Sequence, residues 1–222
     1  MLSPDPFQLP RKPRAVVFDL DGTLIDSEAL VLEAYIAATG RFGLPFTHEQ
    51  FLTLVGQHRA ATEQKLAEYF GAGFPLPKFF DAVTAHIGDG VAPLKAGALD
   101  LIDELERRET PFALATSSGP GWVGKHFEAH DLGRRFHAVV TRDDVKNGKP
   151  HPEPYLMAAT LLGFDPADIL AIEDSPTGVR SALAAGMMTV MTPDLIQPDD
   201  DIRGRVLHVA ASLGDVLNII RA

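Results

Sequence analysis

Short apolar runs alternate along this chain with stretches of helical spacing, and the runs end in polar residues. The first run, Ala15-Val16-Val17-Phe18, has the composition of a strand buried on both faces. Asp19 and Asp21 follow one residue apart, and Gly22 turns the chain. Similar strands are predicted over 112–116, 137–141 and 169–172, with two more over 188–191 and 207–210. Helical patterns lie between them. Residues 98–108 place Leu99, Ile102 and Leu105 on one face. Residues 122–130 read as a helix whose His126 and His130, one turn apart, point to solvent. A helix led by Pro152 runs to Leu162, one led by Pro176 stops at Gly186, and a last one starts at Asp215.

Between the first two strands the pattern is helical throughout. Ser27 is placed to cap a helix over 28–39 that Gly40 closes. Thr47-His48-Glu49-Gln50 has the form of a capping box opening a short helix to Val55. Gly56-Gln57-His58-Arg59 is a polar break, and further helices are predicted over 60–70 and 78–87. Strands alternating with helices imply a parallel, doubly wound α/β sheet with right-handed crossovers. The division expected is a tail over 1–13, rich in proline, a core of 14–27 and 93–222, and an inserted helical unit over 28–92.

The chain has 222 residues, 45% of them hydrophobic, enough for a full core. It has no cysteine, which excludes a disulfide, a thiol nucleophile and a thiolate metal site. A net charge of -10 disfavours nucleic acid and anionic membranes as partners. Neither a signal peptide nor a run of membrane-spanning length is apparent, so a cytoplasmic location is expected and the oligomeric state stays open.

The reactive-looking residues follow the strands: Asp19 and Asp21, then Thr116 and Ser117, then Glu173 and Asp174. In an open parallel sheet these strand ends converge on one crevice. Residues i and i+2 of a strand share a face, so Asp19 and Asp21 leave the strand toward the same side. Like charges that close repel, and a divalent cation relieves them. An all-oxygen ligand set with no paired histidines suits Mg2+ and not zinc. Each stretch has a plainer reading as well: an Asx-turn, a helix cap, a surface lysine at Lys149, or acids at a helix start.

The string Asp19-Leu20-Asp21-Gly22-Thr23-Leu24-Ile25-Asp26-Ser27 resembles the nucleophile motif of the haloacid dehalogenase superfamily, most of whose members are phosphatases. Thr116-Ser117, Lys149-Pro150 and Glu173-Asp174 look like the other three motifs, in order, and the likeness runs from about Ala15 to Met191. The resemblance implies a Rossmann-like core with a small α-helical cap, here 28–92. It also implies that Asp19 attacks phosphorus to give an aspartyl-phosphate, and that Asp21 protonates the leaving oxygen and then deprotonates water. Thr116 and Ser117 would donate to the phosphoryl oxygens, and Lys149 would neutralise nucleophile and phosphate. Metal ligation would fall to the carboxylates of Asp19 and Asp174 and the Asp21 carbonyl, with Glu173 a ligand or a partner behind the ligands.

Within the superfamily, dehalogenases and phosphonatases lack the second acid of the first motif, so Asp21 selects phosphoryl chemistry. The subgroup this chain looks like is the β-phosphoglucomutase-like set of sugar phosphatases and mutases. There, a mutase carries a cap histidine at the position of Val31 and a phosphate-contacting asparagine at that of Pro120. Neither residue here can fill those roles. The expected activity is therefore Mg2+-dependent hydrolysis of a small phosphorylated metabolite, a sugar or sugar-acid phosphate. A phosphomutase is the alternative, and a non-catalytic binding protein on the same fold the third reading. His58 and Arg59 are the candidates for reading the substrate, Arg59 through a second anionic group.

Overall fold

The computed structural model describes residues 7–55, 57, 59–88 and 90–222. Strands β1 (Ala15–Phe18), β2 (Phe112–Ala115), β3 (Ala138–Val140), β4 (Ile169–Glu173), β5 (Met188–Met191) and β6 (His208–Val209) form one sheet in the order β3-β2-β1-β4-β5-β6. Every pairing is parallel. The chain therefore winds outward from β1 in one direction and later from β4 in the other. A crevice opens at the carboxyl ends where the direction reverses.

All residues of β1, β2, β4 and β5 are buried, as continuous apolar runs demand. Alternation decides which cover each residue meets. Val16, Phe18, Phe112, Leu114 and Ile172 face one side. There they pack with Leu101, Ile102 and Leu105 of α5 (Ala98–Arg107) and with Val216 and Ile220 of α10 (Leu213–Arg221). Ala15, Val17, Ala113 and Ala171 face the other side, against Tyr155, Ala158 and Ala159 of α7 (Glu153–Leu162). Helices α6 (Pro120–Ala129), α8 (Pro176–Ala184) and α9 (Asp200–Arg205) complete the layers.

Helices α1 (Glu28–Gly40), α2 (His48–Leu52), α3 (Arg59–Phe70) and α4 (Leu76–Ile87) follow β1 and build a separate apolar cluster. Ala34, Phe51, Leu66, Phe74 and Phe79 are buried within it, and the Tyr35 and Phe79 rings meet edge to face at 5.1 Å. Thr47 makes the full capping box expected of it, with the Gln50 amide nitrogen and side chain both engaged.

Some expectations are corrected. Leu99 is 45% exposed, and Leu101 takes its place in the buried stripe of α5. Helix α9 was not anticipated; Asp199 caps it by accepting the Ile202 N–H at 2.8 Å. Helix α10 starts two residues early because Ser212 caps it. Of the proline-rich start, the described part is packed: Leu9 lies on the core, the Phe7 ring stacks on His208 at 4.7 Å, and Arg11 and Arg14 pair with Asp168.

Candidate active site

Asp19 continues β1 beyond its last residue, its N–H bonded to the Ile172 carbonyl of β4 at 3.0 Å. The chain then folds back over 20–25, with the Gly22 N–H on the Ile25 carbonyl at 2.9 Å. Gly22 has φ +81, and a Cβ there would sit 2.4 Å from Asp174 Oδ2 and 2.7 Å from Glu28 Oε1. Conformation and crowding thus both demand glycine. Thr23, next in the turn, donates its hydroxyl to Asp174 Oδ1 at 3.1 Å. Thr116 follows β2, and its hydroxyl oxygen accepts the Ser118 N–H at 3.0 Å, which leaves the hydroxyl hydrogen for another acceptor.

Lys149, 3% exposed, donates to Asp19 Oδ1 and to Glu173 Oε1, each at 2.5 Å. Glu173 is fully buried and its oxygens are saturated. Oε1 also accepts the Tyr155 hydroxyl at 2.9 Å, and Oε2 accepts the N–H groups of Asp174 and Ser175 and the Ser175 hydroxyl. Gly178, in the first turn of α8, makes this possible. A Cβ there would lie 1.6 Å from Glu173 Oε1.

Asp21 is held from three sides. Ser27 donates its hydroxyl to Oδ1 at 2.8 Å, the Trp122 indole N–H donates to the same oxygen at 2.9 Å, and Ser118 donates to Oδ2 at 2.5 Å. Ser27 does precede α1, but its side chain serves Asp21 and makes no cap bond to the helix. His126 is also not a solvent-facing residue: it is fully buried, its Nε2 accepting the Ala92 N–H at 3.0 Å. That donor fixes the ring hydrogen on Nδ1, which donates to the Trp122 carbonyl at 2.9 Å, and burial lowers the pKa of the ring. His130, half-buried, bonds the Ala92 carbonyl through Nε2 at 2.8 Å.

Negative charge is in excess. Carboxylate oxygens of Asp19, Glu173 and Asp174 lie within 4.8 Å of one another, with Lys149 as their cation. Burial first, then Glu173 and Asp21, push the Asp19 carboxyl up to about 8 against the pull of Lys149. Asp174 is held well above the usual carboxylate range by burial and by Glu173, Asp19 and Glu28. Burial opposes the charge on Lys149, but Asp19 and Glu173 outweigh it and the pKa is raised. These hard oxygen donors, short of positive charge, fit a divalent cation. A second acidic group, Asp26, Glu28 and Asp194, lies beside the first and already holds a cation, the Lys95 ammonium at 2.8 Å from Asp194.

The sequence-predicted residues converge on one cleft of about 770 Å³ between the strand ends and α1, α3 and α4. Asp19, Asp21, Thr116, Ser117, Lys149 and Asp174 line it. Glu173 does not; it stands behind Lys149. Val31, Tyr35, Arg59 and Phe80 form the opposite wall. The Arg59 guanidinium lies 3.3 Å above the Phe80 ring and donates Nε to Glu63 at 2.6 Å, so it is braced, not free. His58 lies outside the described residues. Sequence reasoning missed Tyr155, Trp122, Ser118 and Gly178. Ser118 and Gly178 follow recognised motifs closely, but the partners of Ser118, Trp122 and Tyr155 are distant in the chain, and the contact of Gly178 with Glu173 is a matter of packing that spacing does not mark.

The sequence matches the family described as haloacid dehalogenase-like hydrolase over residues 16–192. Protein CbbY, plasmid, of Cupriavidus necator is 34% identical over 220 residues, covering 91% of this chain and 86% of that protein. The phosphorylated carbohydrates phosphatase of Thermotoga maritima is 30% identical over 176 residues, 78% of this chain and 82% of that one. Among solved structures, CbbY from Rhodobacter sphaeroides in complex with phosphate superposes with a TM-score of 0.78 at 24% identity, covering 92% of this chain and 96% of that one. Among the described residues no helix is long and apolar enough to cross a membrane.

Proposed function

Because the chain belongs to the haloacid dehalogenase-like hydrolase family, we propose that it is a Mg2+-dependent phosphatase for small cytoplasmic metabolites, with a sugar or sugar-acid phosphate as substrate. The observation that carries this is the convergence of Asp19, Thr116, Lys149 and Asp174, from separate strand ends and loops, on one cleft. The T. maritima relative is named for the same substrate class.

Asp19 attacks phosphorus: an Asp19 oxygen–phosphorus bond forms as the ester oxygen–phosphorus bond breaks. Lys149, bonded to Asp19, pulls the nucleophile toward its ionised form against burial and faces the phosphoryl charge. The free hydroxyl hydrogen of Thr116, with Ser117 beside it, donates to the phosphoryl oxygens. Asp21 gives its proton to the leaving alkoxide. It then takes one from water, whose oxygen displaces Asp19 from phosphorus and releases inorganic phosphate. Asp19, Asp174 and the Asp21 carbonyl would hold Mg2+, which supplies charge to orient and neutralise the phosphate. Glu173, with both oxygens occupied, keeps Lys149 in place.

Residues 28–92 act as the cap over the core of 14–27 and 93–222, excluding water during the reaction. Arg59 offers its outer guanidinium nitrogens to a second anionic group of the substrate. Val31 lines the cleft with no group able to move a proton, which favours hydrolysis over a mutase reaction.

The test is phosphate release from sugar phosphates, phosphoglycolate and phosphogluconate, with Mg2+ and with chelator. Mg2+-dependent release by the wild type and its loss in Asp19→Asn are expected. Undiminished release by Asp19→Asn would refute the mechanism. Isomerisation on addition of a bisphosphate, without phosphate release, would replace it with the mutase.

A further inference from the structure

We propose that Trp122 is a positioning residue for Asp21: its indole N–H fixes which carboxyl oxygen carries the transferable proton. The inference rests on the phosphatase reading, in which Asp21 is the acid. The three donors to Asp21 are not equivalent. Ser27 and Ser118 present hydroxyls, which rotate and can accept as readily as donate; an indole N–H only donates. A proton on Oδ1 would require the Ser27 hydroxyl to reverse and would leave the indole N–H on the protonated oxygen, the poorer acceptor of the two. The proton therefore resides on Oδ2, and the Ser118 hydroxyl turns to accept it. Ser118 belongs to the same loop as Thr116 and Ser117, so the acid is loaded on the side where the phosphoryl group is gripped.

The indole is itself fixed. Its ring packs on that of His126 at 4.2 Å, and His126 is locked between the Trp122 carbonyl and the Ala92 N–H. His130 bonds the carbonyl of the same Ala92. Ala92 lies where the chain returns from the helical insert to the sheet. One helix, α6, thus grips both that return and the carboxylate of Asp21.

The chemistry separates positioning of the acid from general damage. An alkoxide needs a proton to leave, whereas p-nitrophenolate does not, and kcat/KM reports only the steps through departure of the alcohol. Trp122→Phe keeps a ring against His126 and removes the N–H. Its kcat/KM on a sugar phosphate should fall about tenfold further than on p-nitrophenyl phosphate, a part of the roughly 10²–10⁴ that a general acid supplies. Equal falls on the two substrates, or no fall, would overturn the inference. Trp122 is the single tryptophan of the chain, so the wild type gives one indole N–H resonance. That resonance should lie downfield of free indole and move on Asp21→Ala; a free-indole position that Asp21→Ala leaves unmoved would equally overturn it. A wild type that releases phosphate from neither substrate overturns the phosphatase reading instead.

Discussion

Gly178→Ala sets two effects against each other at one atom. Gly178 lies in the first turn of α8, in a backbone conformation that alanine adopts, and helix propensity alone favours the alanine by about 1 kcal/mol. The new Cβ, however, would fall 1.6 Å from Glu173 Oε1 and 2.0 Å from its Cδ, so the carboxylate must move. Moving it breaks its bonds to Lys149 and Tyr155 and strains those to Asp174 and Ser175, all in a fully buried setting. Disrupting a buried ion pair from one side costs about 3–5 kcal/mol. The clash wins by about 2–4 kcal/mol, which for a chain of this length lowers Tm by roughly 4–16 °C. Thermal unfolding followed by circular dichroism measures it. Gly124→Ala is the control: Gly124 is also helical, meets nothing within 4 Å, and should gain up to about 1 kcal/mol. A Gly178→Ala protein melting at or above the wild type would refute the account of Glu173 as a saturated, immobile carboxylate.

Asp21→Asn should lower kcat for sugar-phosphate hydrolysis by about 10²–10⁴, the size of a general acid–base contribution, in steady-state phosphate release. Between pH 3.8 and about 8 native Asp19 holds a proton that the unfolded chain has given up, so without a cation it makes stability fall as pH rises through that range. Mg2+ at one concentration, about 100 times its Kd at pH 8, should add about 2.7 kcal/mol there, read as a Tm increase that is smaller near pH 6, where a proton competes at Asp19, and is lost in Asp174→Asn. Glu104 is pulled down to about 2 by hydrogen bonds from Arg107, Arg108 and Arg221. Its stabilisation is present above the ordinary value of 4.5 and lost as pH falls from there to about 2. Urea melts at about pH 5 and about pH 3 should show a smaller loss in Glu104→Gln than in the wild type.

The strands and most helices were legible because each is specified by its own residues. Apolar runs such as Phe112–Ala115 need no distant information, and the Thr47 capping box closes within four residues. Leu99 fails for a physical reason. A helix stripe can be rotated by one position, and only the placement of α5 against β1, β2 and α10 decides that Leu101 and not Leu99 is covered. The sequence also marked the strand-end acids, because topology forces strand ends together. It did not mark what holds them.

The errors at the site share one cause, and it bears on how the site works. Ser27 and His126 were read by their local chances, a helix cap and an exposed helix face, and both were diverted to tertiary partners at Asp21 and Ala92. Ser27, in leaving its local option, forgoes a cap bond worth about 1 kcal/mol, so its bond to Asp21 must be worth more in the folded protein. What the tertiary arrangement supplies at Asp21 is asymmetry: Oδ1 is bound by an obligate donor, the Trp122 indole, together with the Ser27 hydroxyl, and Oδ2 by the reversible Ser118 hydroxyl alone. Lys149 and Glu173 show the complementary case: besides the Tyr155 and Ser175 hydroxyls, each Glu173 oxygen accepts from an N–H group that can only donate, Lys149 on Oε1 and the Asp174 and Ser175 backbone on Oε2. The two acids on either side of Asp19 are thus built differently. Glu173 is saturated and fixed, as a group holding Lys149 should be, and Asp21 retains acceptors that can turn, as a group passing a proton requires.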